Sequence, residues 1–350
     1  MDPRAYGIQL VRALASRDSN TVSNLLSICG PAARARGDSI LQSVGLSVRS
    51  VSESETSANS LAERLKRTSD LKDGWEYVAA NCVCASAVCV APGFGEAAAY
   101  TLSHASLRYL KDCLDSVSGS WIIAPMLKLT TECETLCRSV AWTNLDRDKQ
   151  MEKLVGTMRD LFGVCVKDIP TERGITDCKL MGCLALANVC FKLYFSLNTP
   201  RQCEYILEPI NRKRIHESLG DFPLSVVVTF KYYLGRRAMF QDMYGEANDA
   251  LSFAFENCHS GVEYQRNRRR ILEMLIPVRL LLGDLPSPAL LDEYGFSQLY
   301  GGIVRGVQFG DVRAYRGAME ANMSAFVRSG VYLTLDKLQL IVVRTLIKRL

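Results

Sequence analysis

The sequence predicts an all-α protein assembled from helical pairs. Three observations carry that prediction. Apolar residues recur near a 3.6-residue period from Leu61 to the last residues. No sustained run of short alternating strands at regular spacing accompanies them. Turn residues divide the second half into pairs of periodic segments, and one pair partly matches the tetratricopeptide pattern.

Residues 1–60 are the least regular part. "RGDSILQSVGLSVRSVSESETSANS" (Arg36 to Ser60) is serine-rich and poor in large apolar side chains, so an irregular, weakly ordered arm is expected there. A helical-repeat region is expected over 61–210 and a second helical region over 211–350. Trp75, Val78, Cys82 and Cys89 fall close to one helical face, and Leu102, Leu107, Leu110 and Leu114 populate the next helix. "DCKLMGCLALANVCFKLYFSLNTPRQCEYILEPI" reads as helix, a tight Asn198-Thr199-Pro200 turn, then helix. Pro200 suits a helix start, where its missing N–H would be unpaired anyway.

Asp221 is expected to cap the helix "LSVVVTFKYYLGRRAMF", whose partner is "YGEANDALSFAFENC". Leu234-Gly235 and Ala247-x-x-x-Leu251 supply the tetratricopeptide-like positions, small where helices meet and large where a gap must be filled. Ser260 and Glu263 form a capping box, predicting a helix from near Gly261 that Pro277 kinks. Ile271, Leu275, Val278 and Leu282 are its buried stripe. "FSQLYGGIVRGVQFG" with "DVRAYRGAMEANMSAFVRSG", then "VYLTLDKLQLIVVRTLIKRL", complete the array.

With 350 residues, 48% of them hydrophobic, the chain can bury a substantial core. Forty-two basic against 37 acidic residues leave a net charge of +5, so any electrostatic footprint must be local. The beginning, MDPRAYGIQL, does not read as a signal peptide, and "VAANCVCASAVCVAP" is too short to span a bilayer. A soluble protein without membrane insertion, its thirteen cysteines reduced, is the expectation.

No catalytic signature emerges. None of the three histidines (His104, His216, His259) keeps a carboxylate and a nucleophile at a recognisable spacing, and Cys258 and His259, as neighbours on a helix, point about 100° apart. Cys82-x-Cys84 with Cys89, and Cys133-x-x-x-Cys137, lie in alanine- and valine-rich helical text, which favours core packing over zinc. Gly93-x-Gly95 reads as a turn, and there is no P-loop, His-Glu-x-x-His or Gly-x-Ser-x-Gly. The expectation is a non-enzyme without cofactor or metal.

What remains is basic surface. In "SGVEYQRNRRRILEMLIPVRLLLG", Arg266, Arg269 and Arg270 share a helical face while Arg268 points away. Lys231, Arg236 and Arg237 on the neighbouring helix, and Arg344, Lys348 and Arg349 near the end, complete the candidate partner- or nucleic-acid-binding residues. The bland alternative is a solvated face with Arg269 paired to Glu273. Tyr232, Tyr233 and Tyr264 are candidate stacking platforms for a single-stranded nucleic acid, although spacing favours the core for at least one of the first two.

The blocks "TFKYYLGRRAMF", "ALSFAFENCH", "QRNRRRILEMLIPVRLLLGDLP", "FVRSGVYLTLDKLQLIVVRTLIKRL" and, more loosely, "GCLALANVCFKLYFSLNTPRQCEYIL" resemble the PCI-domain family. That family provides scaffolds of the proteasome lid, the signalosome and a translation initiation complex. The resemblance covers more than half of the chain, from about Cys165 onward. It is nearest to the PCI subunits of the nuclear complex, of TREX-two type, that couples transcription to mRNA export at the nuclear pore. It implies a right-handed superhelix of helical pairs ending in a winged helix, and no catalysis. It also implies a large PCI-like scaffold partner, a small acidic disordered partner, RNA or DNA bound by the assembly, and a nuclear location with a cytoplasmic pool. Winged-helix residues are expected where this chain stops at Leu350, so that subdomain is expected to be largely absent. A PCI subunit of a signalosome-like or proteasome-lid particle is the alternative.

Overall fold

A computed structural model describes residues 1–46, 48, 50–89, 95–169 and 175–349. Among these the protein is all-α, with nineteen α-helices, six short 3-10 helices and no strand. It divides into two compact units, Met1–Phe222 and Pro223–Leu350. The division thus falls after Phe222 where the sequence suggested residue 210, because the 3-10 segment Ile215–Asp221 still belongs to the first unit.

The first unit contains α1 (Pro3–Ala15), α2 (Ser19–Leu26), α3 (Pro31–Ser43), α4 (Val51–Ser69), α5 (Trp75–Val88), α6 (Gly95–Ser116), α7 (Ile123–Ser139), α8 (Asn144–Lys167), α9 (Cys183–Ser196) and α10 (Glu204–Arg212). The expected irregular arm over 1–60 is therefore helical. Within α4 the residues Ser54, Ser57, Ala58, Leu61, Ala62, Leu65 and Ser69 are all buried. They follow the i, i+3, i+4, i+7 spacing of one helix face. Small residues before Leu61, then Leu61 and Leu65 with alanine and serine, seal this face against α1 and α5. Ser50 accepts a hydrogen bond from the Glu53 N–H and caps the helix.

Helix α5 is buried almost all round, including Trp75, Val78 and Cys82, and all four leucines expected on α6 are inaccessible. Lys179, only 7% exposed, donates from Nζ to the carbonyls of Leu114 (2.7 Å) and Val117 (3.0 Å), placing a cation at the C-terminal end of α6. The apolar stretch Lys179–Ser196 is long and apolar enough to cross a membrane, yet most of it is buried inside this unit as a core helix. The turn expected at Gly93-x-Gly95 lies outside the described residues as far as Gly95, which begins α6.

The second unit contains α11 (Leu224–Phe240), α12 (Tyr244–Asn257), α13 (Gln265–Leu282), α14 (Pro288–Glu293), α15 (Ser297–Phe309), α16 (Val312–Ala321), α17 (Met323–Ser329), α18 (Tyr332–Asp336) and α19 (Leu338–Arg349). Pairing of α11 with α12 follows the tetratricopeptide-like residues. A Cβ on Gly235 would lie 2.5 Å from Leu251 Cγ and 3.1 Å from the Ala247 carbonyl, so only glycine permits this approach.

Two caps differ from expectation. Asp221 ends a 3-10 turn, and Pro223 precedes α11 with no side-chain cap. Nor does the Ser260/Glu263 box form: the Gly261 N–H instead donates to His259 Nδ1 at 3.0 Å. Val262–Tyr264 is a 3-10 turn, and α13 starts only at Gln265, then runs through Pro277. Ile271, Leu275 and Val278 are buried, whereas Leu282, in the last turn, is 47% exposed.

Two stability tests follow. Gly235→Ala should lower the urea-unfolding free energy by about 1–3 kcal/mol through overpacking. Gly245→Ala, where a Cβ meets open space, should be neutral or stabilising by up to about 0.5 kcal/mol. Lys179→Met keeps the apolar stem but strips both carbonyls of their donor; thermal unfolding should register a loss of about 2 kcal/mol.

Candidate partner-binding surface

Five arginines precede or line the buried stripe of α13, and the structure gives them different tasks. Arg268 is internal. Its Nη1 donates to the carbonyls of Cys258 (2.8 Å) and Phe255 (3.2 Å), and its Nε donates to Tyr294 Oη (2.8 Å). The guanidinium lies 4.2 Å from the Phe255 ring centroid. Sequence spacing turned Arg268 away from the other three, but it turns inward to close the end of α12 and not out to solvent.

Arg269 is also engaged. It donates to the Tyr294 carbonyl at 2.7 Å and sits 4.7 Å from the Phe296 ring centroid. No ion pair to Glu273 forms among the described residues. Arg266 and Arg270 are exposed and make no hydrogen bond or ion pair among the described residues. The predicted trio therefore resolves into two available guanidiniums and one that already holds the α14–α15 junction. Arg279, further along α13, is spent on Ser252 Oγ at 3.0 Å.

The neighbouring helix contributes half-buried cations. Lys231 lies 5.5 Å from the Phe253 ring, and Arg236 5.9 Å from the Phe240 ring. Arg237 is half-buried and not free of interactions. Arg236, Arg269 and Arg270 converge electrostatically on Glu273. Burial raises that carboxyl above its ordinary value, and the three guanidiniums act in the opposite direction. One part-buried carboxylate facing three guanidiniums leaves a positive excess here.

Arg344, Lys348 and Arg349 are exposed on α19, but they do not join this cluster. Arg349 sits over Phe309 (5.0 Å), at the opposite end of α15 from the Phe296 ring that Arg269 covers. Thirteen helical residues separate the two rings by about 20 Å.

Beside Arg270 lies a groove of about 320 Å³, lined among others by Leu224, Val228, Tyr232, Tyr233 and Tyr264. Tyr232 and Tyr233 are half-buried and pack edge to face with centroids 5.1 Å apart. Tyr264 is 38% exposed and tilts against His259 at 5.0 Å. Neither tyrosine of the pair is fully in the core. Sequence reasoning did not find the groove, because Leu224, Asn257 and Asn267 come from three segments and only the packing of α11, α12 and α13 gathers them.

The other chemical candidates resolve into packing. Cys82, Cys84, Cys133 and Cys137 are at most 1% exposed, and burial raises each thiol above its usual range. Among the described residues no group of three His, Cys, Asp or Glu is placed to hold a metal. His259 Nδ1 is occupied by its own turn, and Cys258 is buried. His104 Nε2 bonds Thr157 Oγ1 at 2.8 Å, its pKa lowered mainly by burial.

No family model matches the chain. Curated proteins do. It is 35% identical over 199 residues to PCI domain-containing protein 2 of Danio rerio, covering 57% of this chain and 48% of the relative. To the PCI domain-containing protein 2 homolog of Drosophila melanogaster it is 32% identical over 269 residues, or 74% and 64% of the two chains. A Gibberella zeae relative named Protein CSN12 homolog is 31% identical over 209 residues, covering 58% and 45%. The chain thus spans about half to two thirds of the length of these relatives. Shared sequence with proteins named for this domain, joined to helical pairing within an all-α fold, places the chain in the PCI-domain family.

Proposed function

We propose that this protein is a non-catalytic scaffold subunit of a nuclear complex that couples transcription to mRNA export. In this reading it binds a large PCI-like scaffold subunit and a small acidic disordered protein, and contributes to a surface that takes RNA or DNA. It works at the nuclear pore, with a further cytoplasmic pool.

The observation that carries the reading is the exposure of Arg266 and Arg270 on α13, beside the tyrosine-lined groove, while the opposite face of that helix is sealed. Charge-assisted bonds to carboxylates are strong, and a guanidinium fork can take one bidentately. An acidic chain fits these two residues better than a nucleic acid does, because Arg268 and Arg269 are already committed internally. The name Protein CSN12 homolog, borne by one relative, supports a second reading as a subunit of a signalosome-like particle.

Affinity purification with mass spectrometry tests the choice. Export-complex scaffold and a small acidic protein are expected; recovery of signalosome or proteasome-lid subunits in their place would refute it. With the same preparation, Arg266→Glu/Arg270→Glu should weaken capture of the acidic partner about tenfold at low salt, an effect that shrinks as salt rises. The melting temperature should fall only slightly, since neither side chain is hydrogen-bonded or ion-paired among the described residues and, of the two, only Arg270 contributes to the field at Glu273.

A further inference from the structure

The groove beside Arg270 joins an apolar floor to a rim of one charge sign. Ile271, Cys258 and Val228, each at most 9% exposed, form the floor, and Leu224 and Tyr264 stand exposed above it. None of the residues lining the groove is acidic. Its volume of about 320 Å³ lies at the lower end for ligand sites, room for one large side chain and not for a folded surface.

Three polar side chains of the lining keep hydrogen-bonding capacity in reserve. Arg270 makes no hydrogen bond or ion pair among the described residues, and the one carboxylate on which its charge acts, Glu273, is shared with Arg236 and Arg269. The Gly261 N–H donates to His259 Nδ1 at 3.0 Å, so the neutral imidazole carries its proton on Nε2 and can donate there. Asn257 Nδ2 donates to the Phe253 carbonyl at 2.9 Å, which leaves Asn257 Oδ1 as an acceptor. A cation, a ring N–H and an amide carbonyl around an apolar slot match a single amino-acid residue with its carboxylate and its main-chain N–H.

Spacing selects the carboxylate. Arg270 and Ile271 are consecutive on α13, and both line the groove. An apolar side chain packed on Ile271 therefore needs its negative charge close by. In an extended peptide adjacent side chains point to opposite faces, and the next one on the same side stands roughly 7 Å away. A neighbouring Asp or Glu thus cannot share the groove with the apolar anchor, whereas a terminal carboxylate sits on the anchor's own Cα. Arg266 lies one helical turn before Arg270, about 6 Å away, which suits an acidic side chain two residues upstream of that anchor.

We infer that this groove captures the free C-terminus of a partner chain that ends in a large apolar residue, with an acidic residue two positions before it. The last side chain packs on Ile271 and Val228, its carboxylate meets Arg270 and His259 Nε2, and the upstream acid meets Arg266. The inference rests on the reading of Arg266 and Arg270 as carboxylate sites and narrows it from side-chain to main-chain carboxylate at Arg270.

Fluorescence anisotropy on the full chain tests it, with a rhodamine-labelled peptide Gly-Ser-Gly-Glu-Gly-Phe carrying a free C-terminus. Saturable binding is expected. The C-terminal amide of the same peptide, and the version ending in Gly, should each bind at least about tenfold more weakly. Ser225→Trp, at an exposed lining position, should block the groove and abolish binding, and Arg270→Gln should erase the preference for acid over amide. Equal binding of acid and amide, or undiminished binding of the Gly-ended peptide, would overturn the inference. Failure of every peptide to bind overturns it too, and partner capture by the Arg266→Glu/Arg270→Glu variant then decides separately on the reading beneath it. The peptide comparison uses the unmutated chain, so it stands whether or not the variants fold.

Discussion

The guanidinium of Arg268 occupies the point where α12, α13 and α14 meet. The last turn of any helix leaves carbonyls without intrahelical donors, and a cation there also satisfies the negative end of the helix dipole. Arg268 meets both needs for α12 through Phe255 and Cys258, and its Nε donates to Tyr294 Oη. Phe255 and Tyr294 pack edge to face at 6.1 Å around it. Arg269 then reaches the Tyr294 carbonyl, so two adjacent arginines pin the same residue by its hydroxyl and its backbone. The orientation of Arg266 and Arg270 follows from that anchoring.

The first unit solves an equivalent problem with other chemistry. Its charged interior is small, and each buried charge described has a partner in a carbonyl or an ion pair. Glu134, buried in α7, receives Arg138 Nε and Lys192 Nζ, both at 2.7 Å, tying α7 to α9. Tyr6 Oη donates to the Leu25 carbonyl at 3.0 Å and joins α1 to α2. A buried carboxylate with two cations is satisfied where a lone one would be costly. Elsewhere the interior relies on leucine, alanine and cysteine, the last acting as a small apolar filler.

Helices with a large apolar stripe were legible in the sequence. The four leucines of α6, the stripe of α13 as far as Val278, and the Gly235–Leu251 approach all stand where their spacing put them. What escaped was anything built from small residues or from distant backbone. Before Leu61, helix α4 presents Ser54, Ser57 and Ala58 to its neighbours, and a scale that rewards size and hydrophobicity reads such a face as solvent-exposed. Arg268 escaped for a different reason: its partners are carbonyls, which carry no side-chain signature, and a tyrosine on another helix. The tyrosines of the groove were visible as residues, but their assembly with Leu224 and Asn267 needs the angle at which α11 meets α13.

The spacing of the two arginine-covered ends of α15 would set a length scale for a ligand that reached both, although Arg269 is already bonded to the Tyr294 carbonyl. About 20 Å of helix lies between the Phe296 ring under Arg269 and the Phe309 ring under Arg349. An extended chain advances roughly 3.3 Å per residue, so about six residues must run between the two ends before one ligand touches both. Below that length each end would act as an independent monovalent contact. Above it, the second contact becomes intramolecular, with an effective concentration set by the spacer and no new chemistry at either end.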